Sequence, residues 1–425
     1  MREKEIQFSN RRLRKSPRCN ENSVIMRNKM KSIMHKLVAL PISLSIAFAV
    51  SLQGTTTPRR IKIDHRQLFS PNVEELRPEY ESPKNAQDIA SNDRNETITA
   101  FDKEHIYFDG KDENCNKGRK KDNCRIATDT VSFPNTDKSY EKVTMRLKLE
   151  CPNGSCDWWD RAGYIAVVKP DGAKIELMRF VSPYRLPGEW SLDITSLQPL
   201  LKGDVQFELF IDTWVQPGHQ NGNGWLATVS FDFEGSSAPG QPVPVEVIPL
   251  WNEQNLVVGD PNKPISGKIA PVSVSIPADA SRVELRSLIT GHGQGNTEFR
   301  NPKVSSAEDK YHGAGCAEWC SLEHTYSIGQ TKFPKVIWRD NCSTTAVQNQ
   351  GGSAPFASRS GWCPGDIVYP WVENVPVSDD AAKRGATVDV NYEIEEYINK
   401  ENTGYDGSNH TEPFYRTSAV LVIYK

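Results

Sequence analysis

Val143, Met145, Leu147 and Leu149 alternate with Thr144, Arg146, Lys148 and Glu150. A period of two sends alternate side chains to opposite faces of an extended chain, so this stretch predicts a half-buried strand. The same alternation recurs in Val205-Phe207-Leu209-Ile211 and in Trp225-Ala227-Val229-Phe231-Phe233. Further apolar runs predict strands at Val243–Val247, Val272–Ile276, Val283–Ile289, Val388–Ile394 and Ala419–Ile423. Ile194–Leu201 predicts one or two helical turns. No long stretch carries a 3.6-residue period. Short strands separated by Gly, Pro, Asn and Asp clusters predict an all-β sandwich. Between Glu234 and Pro244 lies a Gly-Ser-Ser-Ala-Pro-Gly-Gln-Pro segment, a linker by composition. Two β domains are therefore expected, at 97–236 and 243–425, preceded by a polar linker or disordered arm at 55–96.

Composition adds a compartment. The chain has 425 residues, 37% hydrophobic and 25% charged, which suits a soluble protein with a substantial core. A net charge of -3 gives no field to hold nucleic acid, and no nucleic-acid partner is expected. Residues 1–36 hold eleven Lys/Arg against three Asp/Glu, and the apolar stretch Leu37–Val50 follows. A basic region, a short apolar region and the small pair Ala47/Ala49 read as a secretory signal within residues 1–54. The apolar run falls short of the ~20 residues of a spanning helix. The expected product is secreted or periplasmic, a monomer with no stable membrane anchor.

Cysteine usage agrees with export. Cys19 precedes the apolar segment, leaving eight cysteines beyond it. Short loops cost least to close, which favours Cys115–Cys124, Cys151–Cys156, Cys316–Cys320 and Cys342–Cys363. Zinc is the rival use, but only 151/156 and 316/320 approach a ligand spacing. The eight His show no metal-ligand spacing, and no cofactor or metal is expected.

Two cysteine-closed stretches carry candidate chemistry. Cys151-Pro152-Asn153-Gly154-Ser155-Cys156 leads through Asp157 and Trp158 into Trp159-Asp160-Arg161, and Cys316-Ala317-Glu318-Trp319-Cys320 cages a second carboxylate beside an indole. An Asp beside a guanidinium keeps its charge, so Asp160 reads as an ionised acid next to Arg161. A bland surface ion pair is the competing reading. Glu318 has little freedom inside its loop and suits general-base or water-positioning work. Arg359, before Ser360-Gly361-Trp362-Cys363, is placed either to hold a carboxylate or an oxyanion by a two-pronged hydrogen bond or to pack over Trp362. Alternation puts Asp212 on one face with Phe210 and Trp214. Aromatic faces stack on sugar rings, so ten tryptophans lean toward carbohydrate. The long loops His292–Glu318 and Asn341–Gly361 lead into these stretches.

Taken in order, Cys-Pro-Asn-x-x-Cys-Asp-x-Trp-Asp-Arg at 151–161, Cys-Ala-Glu-Trp-Cys at 316–320 and Gly-Trp-Cys-Pro-Gly at 361–365 resemble the peptide-N-glycosidase F family. The resemblance spans about 97–425. It implies two adjacent eight-stranded antiparallel jelly rolls with a site at their interface. It implies hydrolysis of the amide between asparagine and the first N-acetylglucosamine of N-linked glycans, on glycoproteins or glycopeptides. Asp160 then takes the place of the main catalytic acid and Glu318 that of the second. Arg161, Arg359, Trp159, Trp214, Trp319 and Trp362 fall where family members line the site, and the last three disulfides match the implied pairings. The sequence departs from the family at two site positions: Asp212 stands where a third acid, Glu, is expected, and His292 stands for a Trp. The loop with Cys115 and Cys124 looks inserted. A glycan-binding protein of the same fold that has lost catalysis is the alternative, and a copper monooxygenase on paired jelly rolls lacks the His spacing it needs.

Overall fold

The first run of strands is β1 (Arg94–Ile106), β2 (Ile126–Phe133), β3 (Lys142–Glu150), β4 (Ala162–Val168), β5 (Lys174–Val181), β6 (Gly188–Asp193), β7 (Gly203–Ile211) and β8 (Trp225–Glu234). They pair antiparallel in two sheets, β1-β8-β3-β6 and β5-β4-β7-β2. The structure is a computed structural model. It describes residues 94–109, 124–135, 139–259, 268–293, 299–300, 317–352, 355–395, 398–399 and 412–425. The expected signal segment, nearly all of the expected arm, Cys115 and Cys316 lie outside the described residues.

The second run is β9 (Pro244–Val257), β10 (Val272–Ser275), β11 (Arg282–His292), β12 (Phe299–Arg300), β13 (Leu322–Ile328), β14 (Thr331–Ile337), β15 (Asp366–Ile367), β16 (Trp371–Val375), β17 (Thr387–Ile394), β18 (Ile398–Asn399) and β19 (Phe414–Tyr424). Eight of these form the sheets β10-β17-β13-β14 and β16-β11-β19-β9. Each half is thus an eight-stranded antiparallel sandwich, and the all-β jelly-roll class read from the sequence is the observed one. The expected helical turn is the 3₁₀ segment Thr195–Leu200.

The alternating strands behave as their pattern requires. Val143, Met145, Leu147 and Leu149 are fully buried, as are Trp225, Ala227, Val229 and Phe231 on β8. Their neighbours Thr228 and Ser230 are half-buried. Three other strands are covered on both faces. Residues 175–181 of β5, 283–291 of β11 and 417–424 of β19 are buried throughout. These strands line the junction of the two sandwiches. Val181, Leu288, Trp362 and Val368 form an apolar cluster there, and Val420, Val422 and Tyr424 join the first sandwich's core.

Arg179, trapped in this junction, is paired at every guanidinium nitrogen. Arg179 bonds Glu176 through two nitrogens, at 2.9 and 2.8 Å. Its remaining Nη1 donates to Thr290 Oγ1 at 3.1 Å and to the Arg416 carbonyl at 2.7 Å. A cation on β5 therefore closes backbone and side-chain acceptors on β11 and β19. Removing one partner of such a buried pair costs about 3–5 kcal/mol. β15 adds a second tie. It leaves the second sandwich and pairs with β5 as a fifth strand, Asp366 opposite Val181 and Ile367 opposite Phe180. All described residues fall in one compact unit, Pro83–Lys425.

Candidate active site

The first acid loop is set by its disulfide and by a buried aspartate. Cys151 and Cys156 are bridged. Asn153 and Gly154 take left-handed backbone at φ 50° and 74°, conformations that Asn and Gly adopt most readily. Asp157 is wholly buried. It accepts from Arg161 Nε at 2.8 Å, Thr213 Oγ1 at 2.6 Å and the Trp159 amide at 3.1 Å. Ser182, just past β5, takes the Arg161 amide at 2.9 Å. Asp160 is left at the crest of a loop fixed on both sides.

This corrects one expectation. The guanidinium of Arg161 belongs chiefly to Asp157 and is only a weak influence on Asp160. Burial dominates at Asp160 and raises its pKa. A hydrogen bond from the Tyr184 hydroxyl and the charge of Arg359 oppose that rise without cancelling it. Tyr184 is itself placed from the second sandwich, because Gln350 Oε1 accepts its amide at 3.0 Å. Gln350 donates in turn to the carbonyls of Val347 and Pro364, at 2.7 and 2.9 Å.

Glu318 is held by its backbone. Its amide donates to the Gly293 carbonyl at 3.1 Å, and its carbonyl accepts from Ser360 at 2.9 Å. The approach needs glycine at 291, where a Cβ would stand 2.3 Å from the Ala317 carbonyl. Glu318 Oε1 accepts from Arg359 Nε at 3.2 Å. Burial pushes the Glu318 carboxyl up to about 7, with the Arg359 cation pulling it down and the Asp160 charge adding to the rise. Asp160 and Glu318, from different sandwiches, thus feel each other's charge. Tyr184 senses both, along with Arg359, and its hydroxyl is raised by burial and the two acids.

Arg359 packs beside Trp362, one of the two placements read from the sequence. It is buried and bonds Glu318, and its guanidinium lies between two indoles, 4.5 Å from Trp319 and 4.8 Å from Trp362. Trp362 departs from the expected sugar-lining position. It is 4% exposed, and its Nε1 donates to the Gly291 carbonyl at 2.7 Å. It backs Arg359 instead of offering a free face. Its other contact is His292, stacked at 5.4 Å. Phe414 stacks on His292 at the same separation. Burial, then the cations of Arg416 and Arg179, hold His292 well below the ordinary imidazole range. Trp159 and Trp214 are the exposed indoles, at 51% and 54%.

Asp212 pairs with arginines, and its amide donates to the Ala162 carbonyl at 2.9 Å, two residues past Asp160. Ile211, Thr213 and Val215 take the core face, and Asp212 and Trp214 turn outward. Its ion partners are Arg125 at 2.9 Å and Arg416 at 4.0 Å. Cys342–Cys363 is bridged as expected. Cys124 and Cys320 are also disulfide-bonded, and their expected partners lie outside the described residues. Among the described residues no three His, Cys, Asp or Glu side chains stand close enough to share a metal ion.

The comparisons fall on this same frame. The family descriptions "Peptide-N-glycosidase F, N terminal" and "Peptide-N-glycosidase F, C terminal" match residues 97–174 and 310–410. The first contains Asp160 and the second contains Glu318 and Arg359. The chain is similar to the peptide-N-glycosidase F family in both matched regions. One similar protein is the peptide-N(4)-(N-acetyl-β-D-glucosaminyl)asparagine amidase F of Elizabethkingia miricola. It is 25% identical over 303 residues, 70% of this chain and 77% of that one. A crystal structure of a peptide-N(4)-(N-acetyl-β-D-glucosaminyl)asparagine amidase superposes with a TM-score of 0.59 at 22% identity, covering 78% of this chain and 96% of the other. The structure of PNGase F, a glycosylasparaginase from Flavobacterium meningosepticum, gives 0.59 at 23%, covering 77% and 95%. At such identities the superposition speaks for the shared fold.

Sequence reasoning missed Asp157, Tyr184 and Gln350. Asp157 carried a visible signal, an acid four residues before Arg161 in the same loop. Nothing local marked Tyr184 or Gln350, which meet across 166 residues of chain.

Proposed function

We propose that this protein is an exported peptide-N-glycosidase. It hydrolyses the amide joining asparagine to the first N-acetylglucosamine of N-linked glycans, leaving aspartate and a glycosylamine. One observation carries the reading: Glu318 of the second sandwich is bonded to Arg359 at 3.2 Å, and Asp160 of the first, hydrogen-bonded by Tyr184, faces the same Arg359 charge.

Amide hydrolysis needs a positioned water, proton transfer and stabilisation of the negative charge that develops on the carbonyl oxygen. Asp160, fixed by Tyr184, orients the attacking water and the sugar. Glu318, with a pKa of about 7, exchanges a proton readily near neutrality, where a carboxyl of ordinary acidity would be fully ionised. Arg359 faces the developing oxyanion. The Trp319 and Trp362 rings fix its plane, so little reorganisation accompanies charge development. Trp159 and Trp214 offer exposed aromatic faces for sugar rings. The basic and apolar N-terminal segments and the disulfides support export.

The test is release of glycan from a denatured glycoprotein, read by mass spectrometry as conversion of glycosylated Asn to Asp. The wild-type protein produces that conversion, and Asp160→Asn abolishes it while keeping the wild-type melting profile. Binding of the glycoprotein without conversion would favour the glycan-binding alternative. Turnover retained by Asp160→Asn would remove the assigned role.

A further inference from the structure

Arg125 and Arg416 bracket one carboxylate. Arg125 Nη1 bonds Asp212 Oδ1 at 2.9 Å, and Arg416 Nη2 lies 4.0 Å from Oδ2. Two cations therefore meet a single anion. Counting the nearby buried pair Glu176–Arg179, three cations stand against two carboxylates, with Asp212 acting on Arg416 more strongly than Glu176 does. Arg416 shows the shortfall most clearly. Its side chain is 15% exposed, yet among the described residues its guanidinium makes no hydrogen bond. The Nε atoms of both arginines are buried without a partner. A partly desolvated guanidinium this poorly satisfied is costly unless a further anion arrives. Arg179, a neighbouring cation, has the opposite character: each of its guanidinium nitrogens is bonded.

The surroundings are shaped for a ligand. Trp214 is 54% exposed. Arg125 stacks 4.6 Å from its ring, and Phe108 supports it at 5.1 Å. Arg125 follows the disulfide-bonded Cys124 and precedes β2. Arg416 lies on β19 two residues beyond Phe414, which packs on His292. The cationic pair therefore sits at the same junction as the two-acid group, linked to it through His292 and Trp362.

We propose that Arg125 and Arg416, beside the Trp214 face, form a subsite for an anionic group carried by the substrate. The subsite deepens the peptide-N-glycosidase reading and rests on it for the nature of the substrate. The group is a carboxylate, borne either by an acidic sugar of the glycan or by an acidic residue near the glycosylated asparagine. Asp212 holds the two guanidiniums in register instead of acting as a free acid.

Three synthetic N-glycopeptides test this: one neutral throughout, one differing only by a terminal sialic acid, and one differing only by Glu in place of Gln beside the glycosylated Asn. The wild-type protein should turn over one acidic substrate about five- to tenfold more efficiently than the neutral one, the scale of a charge-assisted contact at a partly exposed site. The preferred arm identifies the source of the carboxylate. In Arg125→Gln the acid-to-neutral ratio should fall toward one. Raising salt should lower the ratio in the wild-type protein as well, which decides the matter should the variant fail to fold. Equal kcat/KM for all three substrates, or a preference that salt and Arg125→Gln leave unmoved, overturns the subsite while leaving the amidase intact. Failure to cleave even the neutral glycopeptide counts against the amidase reading instead. Calorimetric binding of the three peptides then reads the subsite directly, and equal affinities overturn it.

Discussion

Glu318→Gln should make the protein more stable at pH 8 than the wild type, while ending its activity. The folded environment raises the Glu318 carboxyl from 4.5 to about 7, chiefly by burial. A carboxyl raised on folding binds more protons in the native state than in the unfolded state between those two values. Stability therefore falls as pH rises through that window and levels off above it. The full separation is worth about 3 kcal/mol, at about 1.4 kcal/mol per pH unit. Between pH 5 and pH 8 the wild type should lose about 2.5 kcal/mol from this residue alone. Gln copies the neutral acid and still offers an oxygen to Arg359, so it removes this slope. Denaturant unfolding of both proteins at pH 5 and pH 8 measures the difference. The variant's advantage should grow by about 2.5 kcal/mol between the two, or about 3–4 °C in melting temperature. An advantage that stays constant or shrinks with pH would mean Glu318 is ionised comfortably in the fold, and its proton-exchange role would fall with it.

Two further changes probe the supports. Asp157→Asn keeps the shape of a fully buried side chain but replaces an oxygen that accepts from Arg161 or Thr213 with a donor. It should cost about 2–4 kcal/mol, and unfolding of the single and double variants with Arg161→Gln should give a clear coupling energy; additive losses would refute the hub. Arg359→Lys keeps the charge but loses the planar group between Trp319 and Trp362, so kcat should fall at least about tenfold with KM much less affected. Equal loss in both constants would point to ground-state binding.

How far the sequence disclosed this molecule depended on which faces each strand buries. β3, β7 and β8 advertise themselves because one face looks toward the core and the other is more open. β11 and β19 are buried on both faces and are legible as apolar runs, whereas β5 is interrupted by Glu176 and Arg179 and β4 opens on Ala162-Gly163, so the pattern predicts neither of these. β14 carries Pro334 and is an edge strand, where a missing amide is tolerated. The two acids were legible because each stands in a short cysteine-and-tryptophan motif, with the Cys151–Cys156 bridge closing the turn before Asp160. Their protonation was not: the expectation for Asp160 followed its sequence neighbour Arg161, while the fold gave that cation to Asp157 and let burial decide. Trp362 misled for a related reason, since a cysteine-flanked Trp reads alike whether it lines a cleft or props an arginine.

The placement of the acids explains why the junction is built as it is. Asp160 rides on the first sandwich, and Glu318 and Arg359 on the second. Useful coupling between them demands tight mutual positioning, since small displacements cost much of the rate. The fold meets this with ties that converge on the Arg359 segment. β15 joins β5 two residues beyond Pro364. Arg339 bonds Asp366 at 2.8 Å and pairs its backbone with Arg359. The Cys342–Cys363 bridge closes the segment, and Gln350 reaches across to Tyr184. The strand that anchors the second sandwich to the first is thus continuous with the loop that carries the arginine. Two acids split between two sandwiches stay in register because β15, in the chain of the second, is itself part of the first sandwich's sheet.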